Sequence, residues 1–326
     1  MKKSSSILVI SILILSILCF VSCSKKSSEQ TAKAEKVYLS MATGGTGGTY
    51  YALGADLANM FSKVVDNVEC TASIGNGSAS NIRELASGDA DLAFSQNDVA
   101  TYAWEGIESF AGEKIQAFGV IGNLYPEVVQ AAYCDNTGIK TIKDFKGRRI
   151  SIGAAGSGVY QSVLDFLASN DMSLEDIDPQ YLSFAESADA IKNGQIDAAF
   201  VTAGIPNPSI QDLAATRDIE MLSLSDEAIN ILCASKPYVP YTIKAGTYKN
   251  QDKDAKTVAI NALLLAGKDL DVDIVYNLTK AIYESTNVLT HDKANDISLS
   301  TALDGFDLSM LHPGAAKYYK EKGLIK

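Results

Sequence analysis

The spacing of apolar and polar residues alternates between two periods along most of this chain, and that alternation predicts strands followed by helices. Residues 37–43 follow the period-2 pattern of a half-buried strand. Four glycines then fall within 44–48, and 50–64 carries its apolar residues at the spacing of an amphipathic helix. A strand at 68–74, a helix at 79–87, a strand at 91–96 and a short helix at 98–104 complete a first unit. The apolar stretch 117–134 reads as a β-rich crossing into a second unit. That unit has a strand at 149–154, helices at 158–170 and 186–193, and strands at 197–202 and 219–224. Residues 239–248 and 257–266 read as further strands, the second crossing back. From 272 on the pattern is helical, at 272–290 and 313–322 with Gly323 as a stop, and this tail is expected to pack on the first unit. Strands alternating with helices imply parallel sheets. Two crossings between two α/β units imply a hinged clamshell, with 37–132 and 257–326 as lobe one and 133–256 as lobe two.

An internal repeat supports the two lobes. Met41-Ala-Thr-Gly-Gly-Thr-Gly-Gly-Thr-Tyr-Tyr51 is echoed by Arg149-Ile-Ser-Ile-Gly-Ala-Ala-Gly-Ser-Gly-Val-Tyr160, each a strand, a glycine loop and a helix start. Leu85-x-x-Gly88-x-x-Asp91-x-Ala93-Phe94 matches Ile191-x-x-Gly194-x-x-Asp197-x-Ala199-Phe200 position for position, in the same order and at nearly the same spacing. A strand that breaks into glycines and reopens as a helix leaves N–H groups free at the positive end of the helix dipole, a ready site for an anion.

In open parallel sheets ligands sit beyond the carboxyl ends of strands, which places several segments around one interlobe crevice. The candidate ligand contacts are Gly47, Gly48, Thr49 and Tyr50 in the first loop, Ser78 and Asn81 at the next helix, and Gln96 and Asn97 after the third strand. Tyr125 and Glu127 join them from the crossing, with Gly156, Ser157, Gly158, Thr202 and Gly204 from lobe two. The hydroxyls of Thr49 and Ser157 either cap their helices or meet a ligand. Tyr50, Tyr51, Tyr125 and Tyr160 are either core aromatics or a cover for an aliphatic stem. Glu127 and Asp98 offer charge to an ammonium group, and Arg83 is expected on a solvated helix face.

The chain carries a formal net charge of −11, scattered rather than blocked, which excludes a nucleic-acid partner. Met1-Lys-Lys precedes an uncharged run at 7–21, shorter than the roughly 20 residues of a membrane span, in the layout of an export signal. Val21-Ser22-Cys23 resembles a lipoprotein cleavage site, with Phe20 where Leu is usual. Residues 1–22 are therefore expected to be a signal peptide, Cys23 the lipidated residue, and 23–36 a polar tether. Cys70, Cys134 and Cys233 have no close spacing and read as buried thiols, one interlobe disulfide remaining open.

Familiar catalytic and nucleotide motifs are missing. Neither glycine loop is followed by the Lys of a phosphate-binding loop, and neither completes a dinucleotide fingerprint. The two histidines, His291 and His312, lie far in sequence from any candidate nucleophile. Asp269-Leu-Asp-Val-Asp273 imitates a calcium loop but has Ile274 and Lys280 where that loop needs Gly and Glu, so it reads as an acidic helix start. No metal or cofactor is expected.

Several landmarks in order resemble the TAXI family of solute receptors for tripartite (TRAP) transporters. They are Thr43-Gly-Gly-Thr-Gly-Gly-Thr-Tyr-Tyr51, Gly88-Asp-Ala-Asp-Leu-Ala-Phe-Ser-Gln-Asn-Asp98, Leu124-Tyr-Pro-Glu127, Ile142-Lys-Asp-Phe-Lys-Gly147, Gly153-Ala-Ala-Gly-Ser-Gly158 and Gly246-Thr-Tyr248. The resemblance implies an α/β, two-lobed periplasmic-binding-protein fold with two interlobe crossings, parallel and mixed sheets and a central ligand cleft. It also implies capture of a small carboxylate or amino acid, glutamate-like in some members, and delivery to an integral membrane permease. The expectation is an extracytoplasmic, lipid-anchored, non-catalytic receptor. The alternatives are an exported hydrolase using Ser157 or Ser78, and a surface antigen or adhesin with a vestigial cleft.

Overall fold

The computed structural model describes residues 35–326; the signal segment 1–22, Cys23 and the tether up to residue 34 lie outside them. Lobe one opens with β1 (Val37–Ala42), α1 (Thr49–Val64), β2 (Val68–Ser73), α2 (Ser78–Ser87), β3 (Leu92–Gln96) and α3 (Asn97–Glu105). The long β4 (Phe118–Cys134) leads to β5 (Arg149–Ser151), α4 (Gly158–Ala168), β6 (Asp178–Gln180), α5 (Phe184–Lys192) and β7 (Ala198–Ala203). Then come α6 (Pro208–Thr216), β8 (Ile219–Met221), α7 (Asp226–Ser235) and β9 (Val239–Ile243). The chain closes with β10 (Ala255–Gly267), α8 (Val272–Glu284) and α9 (Pro313–Glu321).

The strands run in the order β2-β1-β3-β10-β4-β7-β5-β6, with β8 paired to β4 and β9 to β10. The repeat is visible as topology. β1 pairs parallel with β2 and β3, and β5 pairs parallel with β6 and β7. The two three-stranded units join through β4 and β10, which lie antiparallel to each other; β3 pairs with β10 and β7 with β4. Two strands thus link the lobes, as the apolar stretches at 117–134 and 257–266 predict.

The Gly-x-x-Asp echo has a structural cause. Gly88 closes α2 at φ 81°, in the left-handed region that glycine enters freely. Three residues on, the Asp91 carboxylate accepts from the backbone N–H of Ser40 at 2.8 Å, while the Asp91 N–H donates to the Ser40 carbonyl at 3.0 Å. Gly194 and Asp197 repeat this against Arg149 at 2.9 and 2.8 Å, and the Arg149 guanidinium adds an ion pair. Each Asp pins the start of its strand to the parallel neighbour that carries the glycine loop.

Four apolar clusters cover the two faces of each half-sheet. One packs Leu53, Leu57 and Phe61 of α1 with Leu278 and Ile282 of α8 and Tyr318 and Tyr319 of α9, so the tail does pack on lobe one. The opposite face buries Ile82, Val99 and Tyr102 beneath α2 and α3. In lobe two, Val163 and Phe166 of α4 and Leu232 of α7 cover one face, and Ile191 of α5 and Leu213 of α6 the other.

Several boundaries differ from the pattern. The strand expected at 239–248 stops at Ile243, because Gly246 turns the chain at φ 80°. The strand at 219–224 stops at Met221. The helix at 272–290 ends at Glu284, beyond which the Asp56 carboxylate holds the N–H groups of Thr290 and His291 against α1. α6 and α7 were not read from periodicity; both are short, and their start signals are Asn207 with Pro208 and Ser225, whose side chains accept from N–H groups of the first turn. The acidic run at 269–273 is a helix start, with Asp271 accepting from Asp273 and Ile274. Cys70 is a buried free thiol, while Cys134 and Cys233 are free and only half-buried, so the buried reading fails for those two.

Candidate ligand-binding site

A cavity of about 370 Å³ opens between the lobes at the carboxyl ends of the strands. Lobe one contributes the β1–α1 loop from Gly44 to Tyr50, the stretch Ile74 to Ser78 that enters α2, and Gln96 at the end of β3. Lobe two contributes Ala154, Ser157, Gly158 and Val159 around the start of α4, Ser183 to Glu186 around the start of α5, and Thr202 and Ala203 at the end of β7. Four helices, α1, α2, α4 and α5, therefore begin at one cavity, two from each lobe.

Among the described residues lining this cavity there is no Lys, Arg or His. Positive potential comes instead from the helix N-termini, each equivalent to roughly half a unit charge. At α2 the Ser80 N–H is used in a lobe contact, and at α5 the Glu186 carboxylate in the capping box offsets the dipole. Ser157 is the residue before α4, yet its hydroxyl makes no capping bond and is buried without a hydrogen-bond partner among the described residues. Thr49 likewise is the first residue of α1 with Gly48 as its cap, and no side-chain cap is made there. Neither hydroxyl caps its helix in this structure.

Glu127 is the acid of the cavity. It is 2% exposed, and the Tyr50 hydroxyl donates to its Oε2 at 2.6 Å. Burial pushes its pKa up to about 8, the Tyr50 hydrogen bond opposing and the charge of Asp98 adding to the rise. At neutral pH the group is mostly a neutral carboxyl, so it can donate to an anion rather than repel it. Glu186, the other acid on the wall, is held by the capping box of α5: it accepts from the N–H and hydroxyl of Ser183 at 2.8 and 2.7 Å.

Direct contacts join the lobes around the cavity. Ser80 N–H donates to the Gly156 carbonyl at 3.0 Å, the Gln96 side chain to Ser162 at 3.3 Å, and Asn207 and Ser209 to the Gly47 carbonyl at 3.1 and 3.2 Å. Glycine permits the closest approaches: a Cβ on Gly47 would overlap the Ser209 hydroxyl, and one on Gly158 the Gln96 amide.

Ten of the sequence candidates line the cavity: Gly47, Gly48, Thr49, Tyr50, Ser78, Gln96, Glu127, Ser157, Gly158 and Thr202. Five lie off its wall. Asn81 is turned inward, donating to the carbonyls of Thr43 and Phe94 at 2.8 Å each. Asn97 is tied to the tail, donating to the Gly305 carbonyl at 2.7 Å. Tyr125 is a core residue at 1% exposure. Gly156 is occupied by the lobe contact with Ser80, and Gly204 gives room behind Thr49 for the Lys293 stem. Tyr160 stacks on Tyr181 at 6.2 Å, and Arg83 pairs with Glu113 at the surface.

Sequence reasoning missed the α5 entrance, Ser183-Phe184-Ala185-Glu186. Two signals mark it. Ser-x-x-Glu before an apolar run is a capping box, and α5 is the repeat's counterpart of α2, whose start was read correctly. Carrying the repeat one element further would have found it.

The sequence matches the NMT1-like family over residues 41–323. A solved structure from Bordetella bronchiseptica RB50 is 17% identical with a TM-score of 0.57, covering 88% of this chain and 98% of that one. The alkanesulfonate-binding protein SsuA from Xanthomonas axonopodis pv. citri, bound to MOPS, is 14% identical with a TM-score of 0.52, covering 90% and 96%. The ligand-binding component of an ABC-type import system from Staphylococcus aureus, with zinc bound, is 13% identical with a TM-score of 0.51, covering 89% and 93%. At these identities the likeness shows the fold, the mixed α/β, two-lobed architecture of periplasmic binding proteins.

Proposed function

Because the chain belongs to the NMT1-like family, we propose that it is an extracytoplasmic solute-binding receptor that closes its two lobes on a small anionic metabolite or amino acid and hands it to a membrane permease. One observation carries this reading: two helix starts from each lobe meet at a single interlobe cavity that, among the described residues, holds no basic side chain. Such a site favours an anion by N–H groups and dipoles. It gains the full set of contacts only with the lobes together, so the ligand shifts the population toward closure.

The finer reading is a TAXI-type receptor of a TRAP transporter, supported by the motif order given above. The SsuA neighbour is an alkanesulfonate-binding protein bound to MOPS, which supports an anionic solute. A second reading keeps the receptor and changes the permease to the ABC type, as in the Staphylococcus aureus neighbour. A zinc solute is not supported, since no group of three or more His, Cys, Asp or Glu is gathered among the described residues. The hydrolase reading loses support because neither His291 nor His312 lines the cavity that holds Ser157 and Ser78.

No helix among the described residues is long and apolar enough to cross a membrane. Attachment through an acylated Cys23 is part of the proposal, supported by the charged start, the uncharged run at 7–21 and Val21-Ser22-Cys23.

Native mass spectrometry of protein purified without added solute identifies the retained ligand, and calorimetry then measures its affinity. An organic anion bound one to one is expected. Turnover of an ester or peptide library by the purified protein, with no stable complex, would overturn the reading. Uptake into vesicles carrying the partner permease separates the two transporter types: vanadate stops ABC import and leaves TRAP import intact.

A further inference from the structure

Outside the cavity wall, the end of α3 and the turn after it in lobe one meet the segment after α7 of lobe two. One ammonium group lies there between two carboxylates, with a third carboxyl buried at the start of α3. Lys236 pairs with Glu108 at 2.8 Å and lies 3.6 Å from Asp165, with its ammonium 5.2 Å over the Tyr102 ring. Glu108 and Tyr102 belong to lobe one, Asp165 and Lys236 to lobe two, so this one side chain spans the lobes. Tyr238 donates to Asp165 Oδ2 at 3.0 Å and Gln161 to Oδ1 at 3.2 Å, fixing that carboxylate from within lobe two.

Asp98 has no such support. It is fully buried; its Oδ1 accepts the Val99 N–H at 2.6 Å, and its Oδ2 has no hydrogen-bond partner among the described residues. Asp165 acts on it from across the lobe contact as a like charge, with Lys236 as the opposing cation. None of these groups lines the cavity.

Glu108 is exposed and solvated, whereas Asp98 and Asp165 are both buried, and the cation beside them, Lys236, already pairs with Glu108 and Asp165. A second ionised carboxylate in the buried part of the site would have no partner. We propose that this cluster is an interlobe latch, separate from the ligand contacts, which holds the lobes together only while the Asp98 carboxyl carries a proton. With Asp98 neutral, Lys236 serves Glu108 and Asp165 and bridges the lobes. With Asp98 ionised, a second buried carboxylate stands against Asp165, and parting the lobes returns both to water.

The surrounding chemistry agrees in direction. Burial raises Asp98 to about 8, the Val99 N–H lowering it and Asp165 raising it further, and burial raises Asp165 as well. Burial disfavours the Lys236 ammonium, but Glu108 and Asp165 outweigh that and keep it charged. Tyr102 and Tyr238 are held as neutral phenols by burial and by the nearby acids. Glu127, on β4, is the other buried acid that Asp98 acts on. A carboxyl raised in the closed form favours closure fully below its ordinary value near 3.8, and that advantage is lost as pH rises to about 8.

Closure serves capture only if the receptor reading holds, whereas the test needs no ligand, so the two can fail separately. Small-angle scattering is recorded on ligand-free protein at pH 6 and pH 9, with circular dichroism confirming the fold at each. Wild type is expected to show a larger radius of gyration at pH 9. Asp98→Asn, which is neutral at both values, stays at the compact radius. Asp165→Asn removes the facing charge but not the burial of Asp98, so it is expected to show a smaller change than wild type, which keeps the test decisive if Asp98→Asn fails to fold. A wild-type radius that does not change overturns the latch. So does a change that persists undiminished in both variants, or one removed by Glu127→Gln instead.

Discussion

Ser157 and Glu127 show how single residues set the chemistry of this cavity. The Ser157 hydroxyl is buried with no hydrogen-bond partner among the described residues, an arrangement that costs free energy unless a ligand completes it. A hydrogen bond to a charged group is worth about 1.5–3 kcal/mol, so Ser157→Ala should weaken binding of the native anion by roughly ten- to a hundredfold. Thr49→Val should fall in the same range. Calorimetry on both variants checks this, and unchanged affinity in both would place the ligand elsewhere. Glu127 supplies a pH dependence whose sign depends on the ligand. Its pKa of about 8 is raised above the ordinary carboxylate value by burial. The neutral form therefore dominates below that value, and an anion binds best there. Above pH 8 the ionised carboxylate repels an anion, and affinity should fall by up to about tenfold per pH unit. Glu127→Gln should abolish this dependence. An ammonium-bearing ligand gives the opposite slope, so the same titration separates a simple carboxylate from an amino acid.

At the scale of elements, the repeat unit organises both the lobes and the site. Asp197 ties the start of β7 to β5 through the Arg149 N–H and guanidinium, a group about half exposed. Those hydrogen bonds hold the Asp197 carboxyl below the usual range, burial opposing. This stabilisation is present above the ordinary value near 3.8 and is lost as pH falls below it. Asp197→Ala should cost about 1–3 kcal/mol, read from urea denaturation at pH 7, with a smaller difference at pH 3. The strand-loop-helix order, both crossings and the placement of the tail were legible because each rests on a local period or a matched motif. The failures came where tertiary packing decides. Asn81 and Asn97 were assigned to the cleft from their position after a loop or strand, yet their amides face inward to carbonyls of Thr43, Phe94 and Gly305. Periodicity says where a helix begins; it does not say which way its first polar side chain turns. The α5 entrance was missed because the helix is expected at 186–193, which leaves its cap Ser183 outside the expected element.

For the whole molecule, the two lobes meet at glycines, Gly47, Gly156 and Gly158 among them. A Cβ on Gly158 would overlap the Gln96 amide, and overpacking of this kind costs about 1–3 kcal/mol. Gly158→Ala should therefore weaken ligand affinity by roughly tenfold or more, while the unfolding midpoint of the ligand-free protein at pH 9, where its lobes are expected apart, changes little, because the conflict arises only on closure. Thermal unfolding and calorimetry together separate this from a general loss of stability. The proposed anchor is tested apart from the fold: radiolabelled palmitate should enter wild type and not Cys23→Ser, and equal labelling of both would exclude acylation at that residue.

The central position of β10 also bears on the order in which the chain is made. In lobe one, β3 pairs with β1 on one side and with β10 on the other, and β10 lies more than 150 positions further along the sequence. The β6-β5-β7-β4 set of lobe two, by contrast, is drawn from one continuous stretch. During synthesis the β3 edge therefore stays unpaired until β10 has emerged. Lobe two can assemble early while lobe one waits. Pulsed hydrogen exchange during refolding should find the amides of β7 protected before those of β3.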